Sequence, residues 1–550
     1  MAYVRIPGDL DISVASARAR DSFSSPRLAG GCTLVGSIMA STTRRALVIG
    51  TGTGGLASAA FLAKDGFDVL ALDASAELGG YLAPFSRDGF VFDQGLHYVG
   101  ACRPGQLVHD LLQSVGVDAG ELFCELDPDG FDLYRFPEHD IRVCRPLAAY
   151  RERLAELFPD ETKGLRQFFG WLDGAARMHD ALARGILGRP VLTDLVALTG
   201  VPSLLQWSQR PLRELIEQST ENPRLRAVLG GQSGAWALPP SRVVGLAALL
   251  YMAHFSDGAF FPRGGGGGLR DALVRAAEAK GARFRTRALV ERIETERGRV
   301  TGVVLMGGER IEADIVVSAI DPTITLGRLV SASDLPTSLR RKAAVIEPSM
   351  ATFQIWLGLR RDVRAYGFGA QNVWLYPSYD VEEGFSARFT GRLPPRPMLF
   401  VSPTSLKDAS GALAPEGSSS LVVLTYVPHA RFRKWQSLPE GERGPAYVAY
   451  RDEIARWMLK ELDARYPGLV RDVVVQTYGT PLTAADRTRA VHGAPFGPAM
   501  TLSQWGPKGF RTRTPVTGLY LAGSGVFGGG VAPCLLSGLA ASFMAKLAPR

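Results

Sequence analysis

The chain has no stretch of about 18 uninterrupted apolar residues, so no bilayer-spanning helix is predicted. Cysteine is scarce. Cys32, Cys102, Cys124, Cys144 and Cys534 form no C-x-x-C pair and have no neighbouring histidine at metal-ligand spacing. That pattern argues against a structural zinc and fits best with free thiols in a reducing compartment. Long basic runs are missing as well: 62 Lys and Arg are interspersed with 54 Asp and Glu. The formal charge of +8 therefore suits phosphate-bearing ligands or an acidic membrane surface better than nucleic acid. No Ser-His-Asp arrangement suggests hydrolysis. A secretory signal is not predicted either, because the apolar segment 28–40 is short and glycine-broken, and Arg44-Arg45 follows it rather than precedes it. Residues 1–43 lack periodicity and are expected to form a flexible extension. The expected location is the cytoplasm or the periphery of a membrane.

What is present begins at Arg45-Ala-Leu-Val-Ile-Gly50-Thr-Gly52-Thr-Gly54-Gly55-Leu, with Asp73 closing a second apolar run. Each glycine has its own steric role in a dinucleotide-binding β-α-β unit. Gly50 makes the tight turn after the strand 46–49, Gly52 lets backbone approach a pyrophosphate, and Gly55 lets the following helix pack on its strands. The helix start then presents unpaired N–H groups to the anion. Leu56, Ala59, Ala60, Leu62 and Ala63 make a helical apolar stripe, Gly66 stops the helix, and residues 69–72 read as a buried strand. Asp73 then stands where a carboxylate meets the adenosine ribose.

With 550 residues the chain exceeds one compact core, and two interleaved domains are expected. The overall fold class is α/β: a Rossmann-like cofactor-binding domain with an interleaved α+β substrate domain and a helical cap. Residues 44–104, 261–330 and 506–550 are assigned to the cofactor domain, 105–260 to a helical cap that belongs to the substrate domain, and 331–505 to the substrate sheet and its helices. Within these, a helix should follow the glycine run Phe261-Pro-Arg263-Gly264-Gly-Gly-Gly-Gly268-Leu and run to Lys280, with Gly281 ending it. Residues 286–293 should form one strand, and 300–306 with 310–318 a hairpin. Two apolar segments, 186–207 and 243–261, suit either a surface helix dipping into one leaflet or a core helix lining an apolar cavity.

A second glycine-rich turn, Gly518-Leu-Tyr-Leu-Ala-Gly523-Ser-Gly525 through Gly530-Val531, precedes a final helix expected over 535–547. Two such turns at opposite ends of the chain suggest that both ends meet around one long cofactor. FAD suits this better than NAD, since its ring reaches well beyond the first β-α-β unit.

These marks, together with Gly79-Gly80-Tyr81, Phe92-Asp93-Gln-Gly95-Leu-His97-Tyr98-Val-Gly100, Gly230-Gly231-Gln232-Ser-Gly234 and Leu238-Pro239-Pro240-Ser241, carry a family resemblance. The chain resembles the phytoene desaturase, carotenoid isomerase and all-trans-retinol saturase group of the FAD-dependent, amine-oxidase-like superfamily, and is most similar in motifs to the retinol saturase branch. The resemblance spans about residues 44–548. It implies that Asp73 holds the ribose, that Gly50, Gly52, Gly54 and Gly55 hold the diphosphate, and that Gly79, Gly80 and Tyr81 continue past the ribityl chain. It further implies that the Val290 backbone meets adenine and that Gly523, Gly525, Gly530 and Val531 lie near the flavin. One departure is Ser524-Gly525, where many relatives have an acid that contacts the ribityl hydroxyl.

The expected function is an FAD-dependent oxidoreductase acting on carbon–carbon bonds of a polyene or isoprenoid lipid, as saturase, desaturase or isomerase, by hydride and proton exchange. A quinone, oxygen or an external reductant is the expected redox partner, because no second fingerprint dedicated to NAD(P) follows the first. His97 is the candidate catalytic side chain, in a turn expected to pass the flavin, with a structural hydrogen-bonding role as the alternative; His254 and His492 rank below it. No metal is expected. The alternatives are a flavin-dependent fatty-acid isomerase or desaturase, an amine oxidase, and a non-enzymatic prenyl-lipid escort of the same fold.

Overall fold

The computed structural model describes residues 43–186 and 204–549. A five-stranded parallel sheet runs in the order Leu519–Leu521, Ile315–Ser318, Arg45–Ile49, Asp68–Leu72, Arg283–Arg285. Parallel strands must be covered on both faces, and the residues divide accordingly. Ala46 and Val48 pack toward the helix Thr53–Lys64 and the closing helix Val531–Lys546. Leu47 and Ile49 pack on the opposite side, against the antiparallel meander Val290–Glu296, Arg299–Leu305 and Arg310–Glu312.

A second sheet of seven strands runs in the order Val473–Gly479, Thr352–Leu359, Ser419–Tyr426, Leu399–Ser402, Asn372–Leu375, Asp132–Arg135, Asp140–Val143. Phe353, Ile355, Leu357, Leu421 and Val423 cover one face and pack against Ile454, Met458 and Leu462 of the long helix Gly444–Arg465. The alternate residues of the same strands, among them Thr352, Gln354, Leu424 and Tyr426, line a large internal cavity.

Several expectations need correction. The strand expected over 286–293 begins only at Val290 and runs to Glu296, opening the meander; residues 286–289 turn, with Arg287 at φ +52°, after the separate strand Arg283–Arg285 of the parallel sheet. Residues 310–318 likewise split, since Arg310–Glu312 completes the hairpin while Ile315–Ser318 moves into the parallel sheet beside Arg45–Ile49. The closing helix begins at Val531 rather than 535, because Pro533 falls within the first turn, where its missing N–H has no helical partner to lose. The block 105–260 is more than a helical cap, for it supplies two strands to the seven-stranded sheet and pairs Phe123–Glu125 with Phe260–Pro262. Of the two readings of the segment 243–261, the core helix holds: Gly245–Ala253 buries Leu246, Ala247, Ala248 and Leu249. Most of the segment 186–207, and the extension expected over 1–43 apart from Thr43, lie outside the described residues. Among the described residues no helix is long and apolar enough to cross a membrane.

The fingerprint helix seats through Gly55, where an added Cβ would lie 1.9 Å from the Gly50 carbonyl oxygen. Gly55→Ala must therefore push the helix off its turn. A loss of about 1–3 kcal/mol is expected, read as a lowered urea midpoint with an unchanged slope.

Candidate cofactor and substrate site

Gly50, at φ +88°, makes the turn that leads from the opening strand into the helix Thr53–Lys64. A Cβ on Gly54 would lie 2.5 Å from Gly523 Cα, so the first and last glycine turns touch backbone to backbone. A Cβ on Gly52, in contrast, meets nothing within 4 Å, which leaves that backbone open to a ligand. The helices that follow Gly52 and Gly530 both start without a side-chain cap and without an acid in the first turn. Their unpaired N–H groups open into one cavity, an arrangement that attracts anions. Asp73, at the end of the second strand, accepts from Thr51 N at 2.8 Å, Thr51 Oγ1 at 2.5 Å and Ser75 N at 2.8 Å. A carboxylate has about four acceptor sites, so capacity remains for a ligand hydroxyl.

The cavity measures about 1190 Å³. Gly50, Gly52, Gly54, Asp73, Gly80, Tyr81, His97, Val290, Gly523, Gly530 and Val531 all line it. Gly55, Gly79 and Gly525 do not; they stand behind the wall and shape it. Gly55 packs on Gly50, Gly79 N donates to Thr51 Oγ1 at 3.2 Å, and a Cβ on Gly525 would strike Pro322 at 2.3 Å. Ser524 also faces the cavity. Cys534 lines it too, but burial pushes its thiol up to about 12, so it is protonated and unreactive at neutral pH. His492 lines the cavity with its ring 4.7 Å from that of His429, whereas His254 accepts from Gly100 N at 2.9 Å behind the wall.

At the end nearer the second sheet, His97 is half-buried, and its enclosed Nδ1 has no partner within the protein. Burial, and secondarily the nearby Lys407 charge, pushes it down to about 3. The imidazole is thus neutral at physiological pH and can offer one hydrogen bond to a ligand, but no stored proton charge. Behind it lies a polar cluster that sequence reading missed. Lys407 Nζ donates to the His97 carbonyl at 2.9 Å, to Ser402 Oγ at 2.8 Å and to Asn372 Oδ1. Asp132 accepts from Tyr98 Oη at 3.0 Å and from Trp374 Nε1 at 3.2 Å. Burial draws Lys407 down to about 7, against the opposing pull of Asp132 and Asp93, and burial raises both carboxyls to about 7. No spacing in the chain marks Lys407 or Asp132, since each stands among other charged and polar residues, Asp408 beside Lys407 and Asp129 and Arg135 flanking Asp132, that look like ordinary surface turns.

A parallel sheet with two uncapped helix starts and a carboxylate around one elongated cavity defines an oxidoreductase of the flavin-nucleotide type. The residues fit FAD: open backbone at Gly52 and both helix starts suit the diphosphate, Asp73 and Val290 suit the adenosine end, and His97 presents an unpaired ring nitrogen at the far end. The chain belongs to the flavin containing amine oxidoreductase family, whose model matches residues 53–542. It is an FAD-dependent oxidoreductase. It is 27% identical to all-trans-retinol 13,14-reductase of Rattus norvegicus, over 90% of this chain and 85% of that protein. It is 28% identical to the zeta-carotene-forming phytoene desaturase of Myxococcus xanthus, over 84% of this chain and 86% of the relative. Its fold matches a crystal structure of an oxidoreductase from Methanosarcina mazei with a TM-score of 0.60 at 19% identity, over 90% of this chain and 99% of that one.

The Asp132 carboxyl, raised from 3.8 to about 7, binds its proton more readily folded than unfolded. It favours the folded state at acid pH, and that contribution is lost as the pH rises through about 7. Asp132→Asn has no such loss. Its stability relative to wild type should therefore increase between about pH 4.5 and 8 in urea denaturation, and a flat difference would show that Asp132 titrates as an ordinary carboxylate.

Proposed function

We propose that this FAD-dependent oxidoreductase acts on carbon–carbon bonds of a polyene or isoprenoid lipid, as a saturase, desaturase or isomerase. The observation that carries this reading is the continuity of one cavity from the glycine cradle to an apolar, aromatic floor formed by Leu424, Phe400 and Trp374. Tyr98, which also lines the cavity, stacks on Phe255 with ring centroids 4.4 Å apart. Such a floor suits a long conjugated chain better than a small cation, and the activities for which the retinol reductase and phytoene desaturase relatives are named support the same substrate class.

Bound FAD supplies two-electron redox chemistry at its ring. The chain's own residues bind, orient and dry the site. Gly50, Gly52 and Gly54 would present backbone to the diphosphate, Gly80 would continue the wall along the ribityl chain, and Asp73 would receive the ribose hydroxyls. Gly55, Gly79 and Gly525 hold that cradle in shape. Neutral His97 contributes a hydrogen bond through Nδ1 in the turn that Lys407 holds by its backbone carbonyl. A quinone or oxygen serves as electron partner, in keeping with the single cofactor fingerprint. The enzyme works in the cytoplasm or at a membrane surface, where an apolar substrate is available.

Purified protein should be yellow, and anaerobic assays with all-trans-retinol, carotenoid and fatty-acid substrates, with oxidised and reduced flavin, test the substrate class. Turnover of fatty acids or amines with none of the polyenes would overturn the reading. Asp73→Ala should weaken FAD binding roughly tenfold or more in titrations of the apoprotein, the loss expected for a hydrogen bond to a charged group. Unchanged affinity would remove Asp73 from the ribose contact.

A further inference from the structure

The cavity floor is apolar along most of its length and polar at one end. Gln354 pairs across the sheet with Leu424, Leu424 with Phe400, and Phe400 with Trp374, so these side chains form one row over four neighbouring strands. All four line the cavity. With strands about 4.8 Å apart, the row extends roughly 14 Å from the Gln354 amide to the Trp374 indole. Thr352, two residues before Gln354 and so on the same face, extends the polar end.

Gln354 is only 8% exposed. Its Nε2 donates to Thr352 Oγ1 at 3.4 Å, but its Oε1 has no hydrogen-bond partner in the protein. On its other side the neighbouring strand places Gly479 opposite it, so no side chain there answers the amide. A buried acceptor without a donor is costly, and in native structures such a group is met by ordered water or by a ligand, so a bound substrate that displaces the water must replace its hydrogen bond. Apolar hydrocarbon has no donor to offer. An alcohol has one.

We propose that Gln354 Oε1 accepts a hydrogen bond from a hydroxyl at one end of the substrate, whose apolar chain lies across Leu424, Phe400 and Trp374. The Thr352 hydroxyl, which already accepts from Gln354, has its own proton to give to the same substrate oxygen. The substrate class is thereby narrowed from polyene lipids in general to polyenes with a terminal alcohol, and Gln354 becomes the residue that separates them from hydrocarbons. This inference rests on the polyene reading above.

The test uses the FAD-loaded protein and equilibrium binding, followed by quenching of tryptophan fluorescence. The probes are all-trans-retinol, its methyl ether, which cannot donate, and the hydrocarbon lacking the oxygen. Wild type should bind the alcohol roughly tenfold more tightly than the ether or the hydrocarbon. Gln354→Met, close in shape, should abolish that preference, and Gln354→Glu, which keeps an acceptor, should retain it, with both variants binding FAD as wild type does. Equal binding of all three probes by wild type would overturn the inference while leaving the polyene reading intact. A weakened FAD affinity in Gln354→Met with an unchanged alcohol preference would assign the amide to the cofactor instead. Failure of every probe to bind would remove the polyene reading and this inference together.

Discussion

The architecture depends on one backbone contact, between Gly54 near the start of the chain and Gly523 near its end. Only glycine permits it, because a Cβ on Gly54 would lie 2.5 Å from Gly523 Cα and 2.6 Å from its nitrogen. Ser537 Oγ holds the same place from the closing helix by accepting from Gly523 N at 2.7 Å. One further close approach locks the two helices side by side, with a Cβ on Gly538 lying 2.6 Å from Ala57 Cβ. The consequence is electrostatic as well as steric. Two uncapped helix starts converge on one cavity, and the anion-binding capacity of each is added to the other.

The second constraint fastens the substrate sheet to this cradle. The segment from Asp93 to Tyr98 leaves the cofactor domain and is gripped by three donors or acceptors of the other sheet and its loops. Trp356 Nε1 donates to the Asp93 carbonyl at 2.7 Å, Lys407 Nζ to the His97 carbonyl at 2.9 Å, and Tyr98 Oη to Asp132 at 3.0 Å. Burying Lys407, Asp93 and Asp132 carries a desolvation penalty, visible in titration positions displaced toward neutrality. What that penalty secures is the placement of His97 and Tyr98 on the cavity wall. The neutral state of His97 follows from the same cluster, because burial and the Lys407 charge both oppose its protonation.

Much of the cofactor half was legible in the residues. The glycine spacing, the acid at 73 and the closing glycine loop each express a local steric need, and local needs leave a pattern in sequence. Strand assignments failed where two short strands of different sheets follow each other, as at 283–296 and 310–318, since periodicity cannot tell which sheet a β segment joins. The substrate half was less legible. The run Ala351-Thr-Phe-Gln-Ile did show polar residues alternating with apolar ones, the only sequence signal that pointed at Thr352 and Gln354. Lys407 and Asp132 left no such trace.

The chain by itself determined the β-α-β fingerprint, the cofactor class and the apolar strands, because these depend on residues near one another in sequence. Tertiary structure alone decided that the two glycine turns touch, that Gly55, Gly79 and Gly525 shape the cavity wall from behind, and that a Gln354 amide with an unpartnered oxygen ends an aromatic floor. Those facts arise from strand order and cross-strand register, which bring distant residues into one row. Local propensity carries no record of that pairing.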